Sequence, residues 1–288
     1  MRKILVFIFS IFLFTTSSAN EILNNLSTKI SEFSSSLIPG EGVTEVNIEI
    51  KESQEPDFTI LGVRDINKTK NSNFFTQFSL HNNDVGGDER YIGNLGFGYR
   101  FLTDDNSIML GVNSFYDKDL ENDHARGSIG FEARGSVLEF NLNQYYSLSN
   151  METISGTDEQ SLGGIDYSLS SQIPYVPWAK IGWTGYQHEA DKATVDTEGE
   201  IYSLEMMLTP SLRLDISKDE SNHSDGDSDS AKISFIYPPK EKKITLADGL
   251  TSDEIWHKES MKDKLSRKVK RNNNLVIEIQ GSVIITSK

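Results

Sequence analysis

The stretch that decides the fold is "NLGFGYRF", Asn94–Phe101. Leu95, Phe97, Tyr99 and Phe101 share one face of an extended chain, and Asn94, Gly96, Gly98 and Arg100 share the other. The same alternation recurs on both sides of it. In "FFTQFSLH", Phe74, Thr76, Phe78 and Leu80 oppose Phe75, Gln77, Ser79 and His81. In "GSIGFEARG", Ile129, Phe131 and Ala133 oppose Ser128, Gly130, Glu132 and Arg134. In "VLEFNLNQYY", Leu138, Phe140, Leu142 and Tyr146 oppose Glu139, Asn141 and Asn143. "AKISFIYP" sets Ile233, Phe235 and Tyr237 against Lys232 and Ser234. One face is apolar and aromatic; the other is polar, charged or glycine.

Two architectures produce this pattern. A soluble sandwich buries the apolar face against a second sheet, whereas a transmembrane barrel turns it to lipid and keeps the polar face inside. Segments of about 9–12 residues suit tilted membrane strands and are long for a sandwich. Twelve strands are expected, at 44–51, 58–66, 73–81, 91–102, 106–117, 123–134, 136–148, 161–172, 177–188, 200–209, 211–218 and 229–238. Connections after even-numbered strands are short ("TDDN", "GS", "PYVP", "PS"). Several after odd-numbered strands are long and polar ("NNDVGGDER", "NMETISGTDEQ", "EADKATVDTEGE", "DESNHSDGDSD"). Short turns on one rim and long loops on the other mark an outer-membrane barrel, and they put the N-terminus on the periplasmic side.

The rest of the composition is consistent with that class. The 288 residues carry a formal net charge of −15 and no cysteine. The acidic balance argues against a nucleic-acid binder, and the absent cysteine excludes disulfides and Cys-based metal sites. "MRKILVFIFSIFLFTTSSAN" has a basic start, a short apolar run and small residues Ser17 and Ala19 at the cleavage positions, the pattern of a secretory signal peptide over 1–19. Residues 20–42 then read as a periplasmic N-terminal segment with a short amphipathic helix (Ile22, Leu23, Leu26, Ile30, Phe33). The barrel is expected over 43–238, and a post-barrel helix and extended linker over 239–288.

That last region reads as a helix from Thr251, with Thr251 and Glu254 as a capping box and Lys264, Arg267, Lys268, Lys270 and Arg271 complementing its C-terminal end. Asn272, Asn273 and Asn274 stop it, and "LVIEIQGSVIITS" would follow along the pore wall. Arg100, Glu132, Arg134 and Glu139 are candidate lumen groups, free to pair with one another or to face the basic helix and plug the pore.

Catalytic and metal chemistry find little support. The histidines His81, His124, His188, His223 and His257 fall in no motif that pairs them with a nucleophile, so no enzyme activity is expected. "DGDSDS", Asp225–Ser230, lacks the sixth-position Gly and twelfth-position Glu of an EF-hand loop and reads as a solvated acidic loop. No metal and no cofactor are expected.

Read together, "NLGFGYRF", "GVNSFYDKDL" (Gly111–Leu120), "HARGSIGFE" (His124–Glu132) and "RNNNLVIEI" (Arg271–Ile279) resemble the translocator barrel of the intimin and invasin family, the inverse autotransporters of type Ve secretion. The resemblance covers roughly Val43 to Ile279. It implies a twelve-stranded barrel in the outer membrane of a Gram-negative bacterium, with a segment after the last strand that threads the pore and carries adhesive domains outward. It also implies dealings with outer-membrane lipid and lipopolysaccharide, and with the Sec translocon, periplasmic chaperones and barrel-assembly machinery during biogenesis. This chain shows no passenger after Lys288, so the expected role is a translocator or anchor whose passenger is absent or encoded separately. The alternatives are a barrel that binds a surface or host ligand through its long loops, and a small-solute pore.

Overall fold

A computed structural model describes residues 39–51, 55–85, 87–193, 195–222, 227–239, 244–279 and 282–284. The signal-peptide stretch and the N-terminal helix expected at 22–33 lie outside the described residues. The strands are β1 (Gly42–Lys51), β2 (Asp57–Lys68), β3 (Ser72–Val85), β4 (Asp88–Leu102), β5 (Met109–Asp119), β6 (Ala125–Arg134), β7 (Leu138–Ser147), β8 (Glu152–Ile154), β9 (Thr157–Ser161), β10 (Gly164–Ile173), β11 (Val176–His188), β12 (Thr197–Thr209), β13 (Leu212–Ser221), β14 (Ser228–Tyr237), β15 (Ile277–Ile279) and β16 (Ser282–Ile284).

Twelve of these close into an antiparallel barrel in the order β1-β14-β13-β12-β11-β10-β7-β6-β5-β4-β3-β2. The seam is the β1–β14 ladder, which runs from Thr44 opposite Tyr237 to Lys51 opposite Ser230. Closure leaves no unpaired edge in the wall, the condition for a sheet to stand in lipid. The period-two pattern explains which way each strand faces. On β4, Leu95, Phe97 and Tyr99 are 50%, 49% and 46% exposed, whereas Arg100 is fully buried in the lumen. Val112, Tyr116, Ile129, Phe131, Phe140, Tyr146 and Leu169 continue the outward apolar band.

Two of the long connections are more ordered than the sequence implies. "NNDVGGDER" is part of a hairpin whose β3–β4 ladder continues to Val85 opposite Asp88. "NMETISGTDEQ" contains the small hairpin β8–β9.

The helix expected from Thr251 does not form. Among the described residues after β14, regular helical structure is limited to two 3-10 turns, Leu246–Asp248 and Met261–Lys264. Ser260, not Thr251, caps the second turn by accepting from the Lys262 N–H. Beyond it the chain is irregular or extended. An α-helix would consume the carbonyls of this segment internally and advance only ~1.5 Å per residue. Here those carbonyls are taken by side chains of the barrel wall. Nor does the end of the tail simply follow the pore wall: Leu275 and Ile277 touch it at Val85 and Ile92, but β15 adds to β9, with β16 outside it, in a four-stranded sheet β16-β15-β9-β8.

Candidate functional site

The lumen is the site, and two inward aromatic rings prepare it. Phe75 on β3 and Phe115 on β5 point inward, and the glycines of β4 leave room for them. A Cβ on Gly96 would sit 2.3 Å from Phe115 Cδ1, and one on Gly98 would sit 2.4 Å from Phe75 Cζ. Each ring then carries a guanidinium on its face: Arg100 lies 4.1 Å from the Phe75 centroid and Arg271 4.4 Å from that of Phe115.

Residues 261–279 thread this lumen from the short-turn rim to the long-loop rim. At the short-turn end Met261 and Leu265 pack with Leu102 and Met109. Midway, Val269 enters an apolar patch of Leu61, Val63, Phe75 and Phe115. At the far end Leu275 and Ile277 pack against Val85 and Ile92 on the tall β3–β4 hairpin.

Between these apolar anchors the wall satisfies the segment's backbone group by group. Asn73 and Arg100 each donate to the Leu265 carbonyl at 3.0 Å, and Arg100 also donates to that of Arg267. Arg134 donates to the Lys268 carbonyl at 2.9 Å and Asn143 to that of Lys270 at 3.1 Å. Arg126 and Asn94 donate to the carbonyls of Asn272 and Asn273, both at 2.9 Å. The Val269 N–H donates to Gln77 Oε1 at 2.7 Å and the Asn272 N–H to the Tyr145 hydroxyl at 2.9 Å. A buried peptide group without a partner costs as much as a lost hydrogen bond, so this succession fixes the height of each tail residue.

Charge is arranged in layers. Lowest, Lys264 reaches Glu139 at 2.7 Å, Glu259 at 3.3 Å and the Gly135 carbonyl at 3.0 Å, while Lys180 also meets Glu139 at 2.6 Å. Next, Glu132 holds Arg100 at 2.6 Å and Arg134 at 2.8 Å. On the opposite wall, Glu45 takes Lys268 at 2.8 Å and Arg213 at 3.2 Å. Highest, Asp117 receives Arg126 at 2.9 Å and Arg271 at 2.5 Å, with all three side chains fully buried. Arg271 Nη1 also donates to Asn273 Oδ1, and Asn94 to Asp117, at 2.9 and 2.8 Å.

Arg100, Glu132, Arg134 and Glu139 therefore both pair with charges and face the 258–271 segment, as an extended chain. Lys264, Arg267, Lys268 and Arg271 follow it up the pore, with Arg267 turned to Glu259 at 3.4 Å. Asn272 and Asn273 offer carbonyls to the wall, and the Asn274 N–H donates to Asn272 Oδ1 at 3.0 Å. Asp117, Arg126 and Tyr145 were not singled out in the sequence. The first two stand inside the quoted "GVNSFYDKDL" and "HARGSIGFE", and Tyr145 continues the inward parity of Asn141 and Asn143.

The tail leans on one side. Over 265–273 its backbone partners on the wall come from β3, β4, β6 and β7, and on the β1 and β10–β14 side a cavity of about 260 Å³ remains, lined among others by Asn47, Glu49, Thr184, Glu205, Arg213 and Lys232.

The inverse autotransporter β-domain family matches residues 14–273. The inverse autotransporter adhesin YeeJ of Escherichia coli K12 is 25% identical over 229 residues, which cover 76% of this chain and 9% of that protein. A putative attaching and effacing protein homolog of the same organism is 31% identical over 117 residues, 40% of this chain and 37% of that protein. The chain thus spans less than half the length of either relative. A solved structure from a study of in-meso crystallization of membrane proteins matches in fold, with a TM-score of 0.67 and 18% identity, over 83% of this chain and all of that one. The chain belongs to the inverse autotransporter β-domain family, as an outer-membrane β-barrel of the translocator and anchor type.

Proposed function

We propose that this barrel anchors a threaded segment, residues 261–279, and holds whatever continues from it at the cell surface. The observation that carries the reading is the chain of hydrogen bonds from Asn73, Arg100, Arg134, Asn143, Arg126 and Asn94 to consecutive levels of the tail backbone. Such contacts recognise an extended main chain rather than a particular solute. The short-turn rim is periplasmic and the long-loop rim faces outward, by the asymmetry common to outer-membrane barrels.

The role is non-enzymatic in this reading: Asn73, Arg100, Arg134, Asn143, Arg126 and Asn94 of the wall are spent on the tail backbone. Residues 1–19 serve as the export signal, 20–42 as a periplasmic segment, 43–238 as the barrel and 239–288 as the threaded linker. Biogenesis passes through the Sec translocon, periplasmic chaperones and the barrel-assembly machinery. Lipopolysaccharide borders the outer rim, and a surface or host ligand is met by what the linker presents.

An epitope fused after Lys288 and probed on intact cells tests the reading. Antibody access without permeabilisation is expected. Access only after permeabilisation would place the tail in the periplasm and overturn it.

A further inference from the structure

The hairpin β8–β9 and the loop at 189–193 have no part in closing the barrel, yet both are fastened to it. On β9, Glu159 receives Arg90 through two nitrogens at 2.6 and 2.8 Å, and His124 Nε2 lies 3.3 Å from it. Ser161 bonds the Ser147 and Ser149 hydroxyls at 2.8 and 2.9 Å and donates to the Ala125 carbonyl at 3.0 Å. Gln160 donates to the Ser149 carbonyl at 2.8 Å. In the loop, the Ala190 N–H donates to Asp196 at 3.0 Å, and Lys192 reaches Asp158 on the hairpin at 3.0 Å. These contacts hold one edge of β9 beside the pore mouth without any help from the tail.

The tail fills that edge. β15 pairs with β9 with Ile277 opposite Ser161, Glu278 opposite Gln160 and Ile279 opposite Glu159, and the Leu162 N–H donates to the Val276 carbonyl at 2.9 Å. Val276 packs on Leu162, and Ile277 on Val85 and Ile92. Between the apolar residues stands Glu278, 2% exposed. Its carboxylate accepts the backbone N–H groups of Asp191 at 2.7 Å, Lys192 at 2.8 Å and Ala193 at 3.0 Å. Three successive N–H groups converging on one anion form a cradle with a fixed positive field.

We propose that β9 and the 191–193 loop together form a strand-addition site at the pore mouth, built to capture an emerging extended segment that carries one acidic residue between apolar ones. Its occupant is this chain's own Val276–Ile279. Main-chain pairing supplies affinity, and the carboxylate cradle with its apolar flanks supplies register. β9 is fastened to the wall by contacts that do not involve the incoming strand, which lowers the ordering cost of capture. The proposal rests on the threaded reading, since its occupant must leave the pore at this rim.

The chain has no cysteine, so an engineered pair is unambiguous. Leu162→Cys with Val276→Cys places two thiols at facing, packed positions, clear of the Glu159 and Ser161 contacts that fasten β9. The full barrel in outer membranes, its folding checked by heat-modifiable migration, is equilibrated in a glutathione redox buffer, with the epitope after Lys288 probed in parallel. The disulfide is expected to form, with its effective concentration lowered about tenfold by Glu278→Ala and less by Glu278→Gln, which keeps an acceptor oxygen. If the epitope is exposed but the disulfide does not form, or forms equally with Glu278→Ala, the capture site is overturned and threading stands. If the epitope is hidden, threading fails and the capture site with it.

Discussion

Arg271 of the threaded segment meets Asp117 of β5 through two nitrogens, at 3.0 and 2.5 Å, with both side chains fully buried. The pair sits opposite the Phe115 ring and beside Arg126, so one carboxylate serves two guanidiniums, one from the wall and one from the tail. Removing one partner of a buried pair typically costs about 3–5 kcal/mol, because the other charge is stranded. Asp117→Asn strands two cations and Arg271→Met strands none, since Arg126 still neutralises Asp117. Urea unfolding midpoints should therefore fall further for Asp117→Asn than for Arg271→Met. The reverse order would mean that Arg271 does not share Asp117 in the membrane.

The β4 glycines make a second prediction. Gly96→Ala drives a methyl into Phe115, and Gly98→Ala one into Phe75. Overpacking of this kind costs about 1–3 kcal/mol. Phe115→Leu in the Gly96→Ala background should recover part of the loss in an unfolding titration, while the same rescue should fail for Gly98→Ala.

The short turn after β4 gives a pH dependence. The Asp105 carboxyl is held at about 2, first by the Thr103 hydroxyl and then by the N–H and hydroxyl of Ser107. Its folded value lies below the unfolded one, so its contribution is complete above about pH 4 and is lost as pH falls toward 2. The gap in unfolding midpoint between the parent and Asp105→Ala should be present at pH 7 and shrink across that window. A gap that persists unchanged at the lowest pH would show that the carboxylate is not its source.

Conductance offers a fourth check. With the tail in place, the free space beside it is a cavity of about 260 Å³. Deleting 251–288 should leave a steady, several-fold larger channel in planar bilayers, lined by Arg100, Arg126, Glu132 and Asp117. An unchanged conductance would mean that the lumen was never filled by this segment.

Strand direction and the inward parity of Arg100, Glu132, Arg134 and Glu139 follow from period two, a local property that the wall preserves, whereas the barrel was legible only from segment length and from the sorting of short turns and long loops. The tail was not. Thr251 and Glu254 form a local helix-start signal, and the basic run agrees with a helix end. Those signals lose to Asn73, Arg100, Arg126 and Asn143, which lie more than a hundred residues upstream and claim the carbonyls that a helix would use. Asp117 and Arg126 were visible as letters in motifs. Their task was not, because only the closed barrel brings β5 and β6 to residue 271. The hairpin at 152–161 is short, and its polar "ETISGTDEQS" lacks the apolar alternation that marks the wall strands.

The four-stranded sheet at the rim also has a mechanical meaning. β16 folds back antiparallel on β15, with Ile284 opposite Ile277 at its open end. Tension applied outward beyond residue 284 therefore peels β16 away one rung at a time. The load then passes to β15, pulled along its axis while β9 is held from its opposite end at Ser161. There the rungs share the force together, in shear, and the side-chain contacts of the pore lie in series below them. The rim thus works as a soft spring mounted on a stiff bolt: it yields a short length of chain early and then resists.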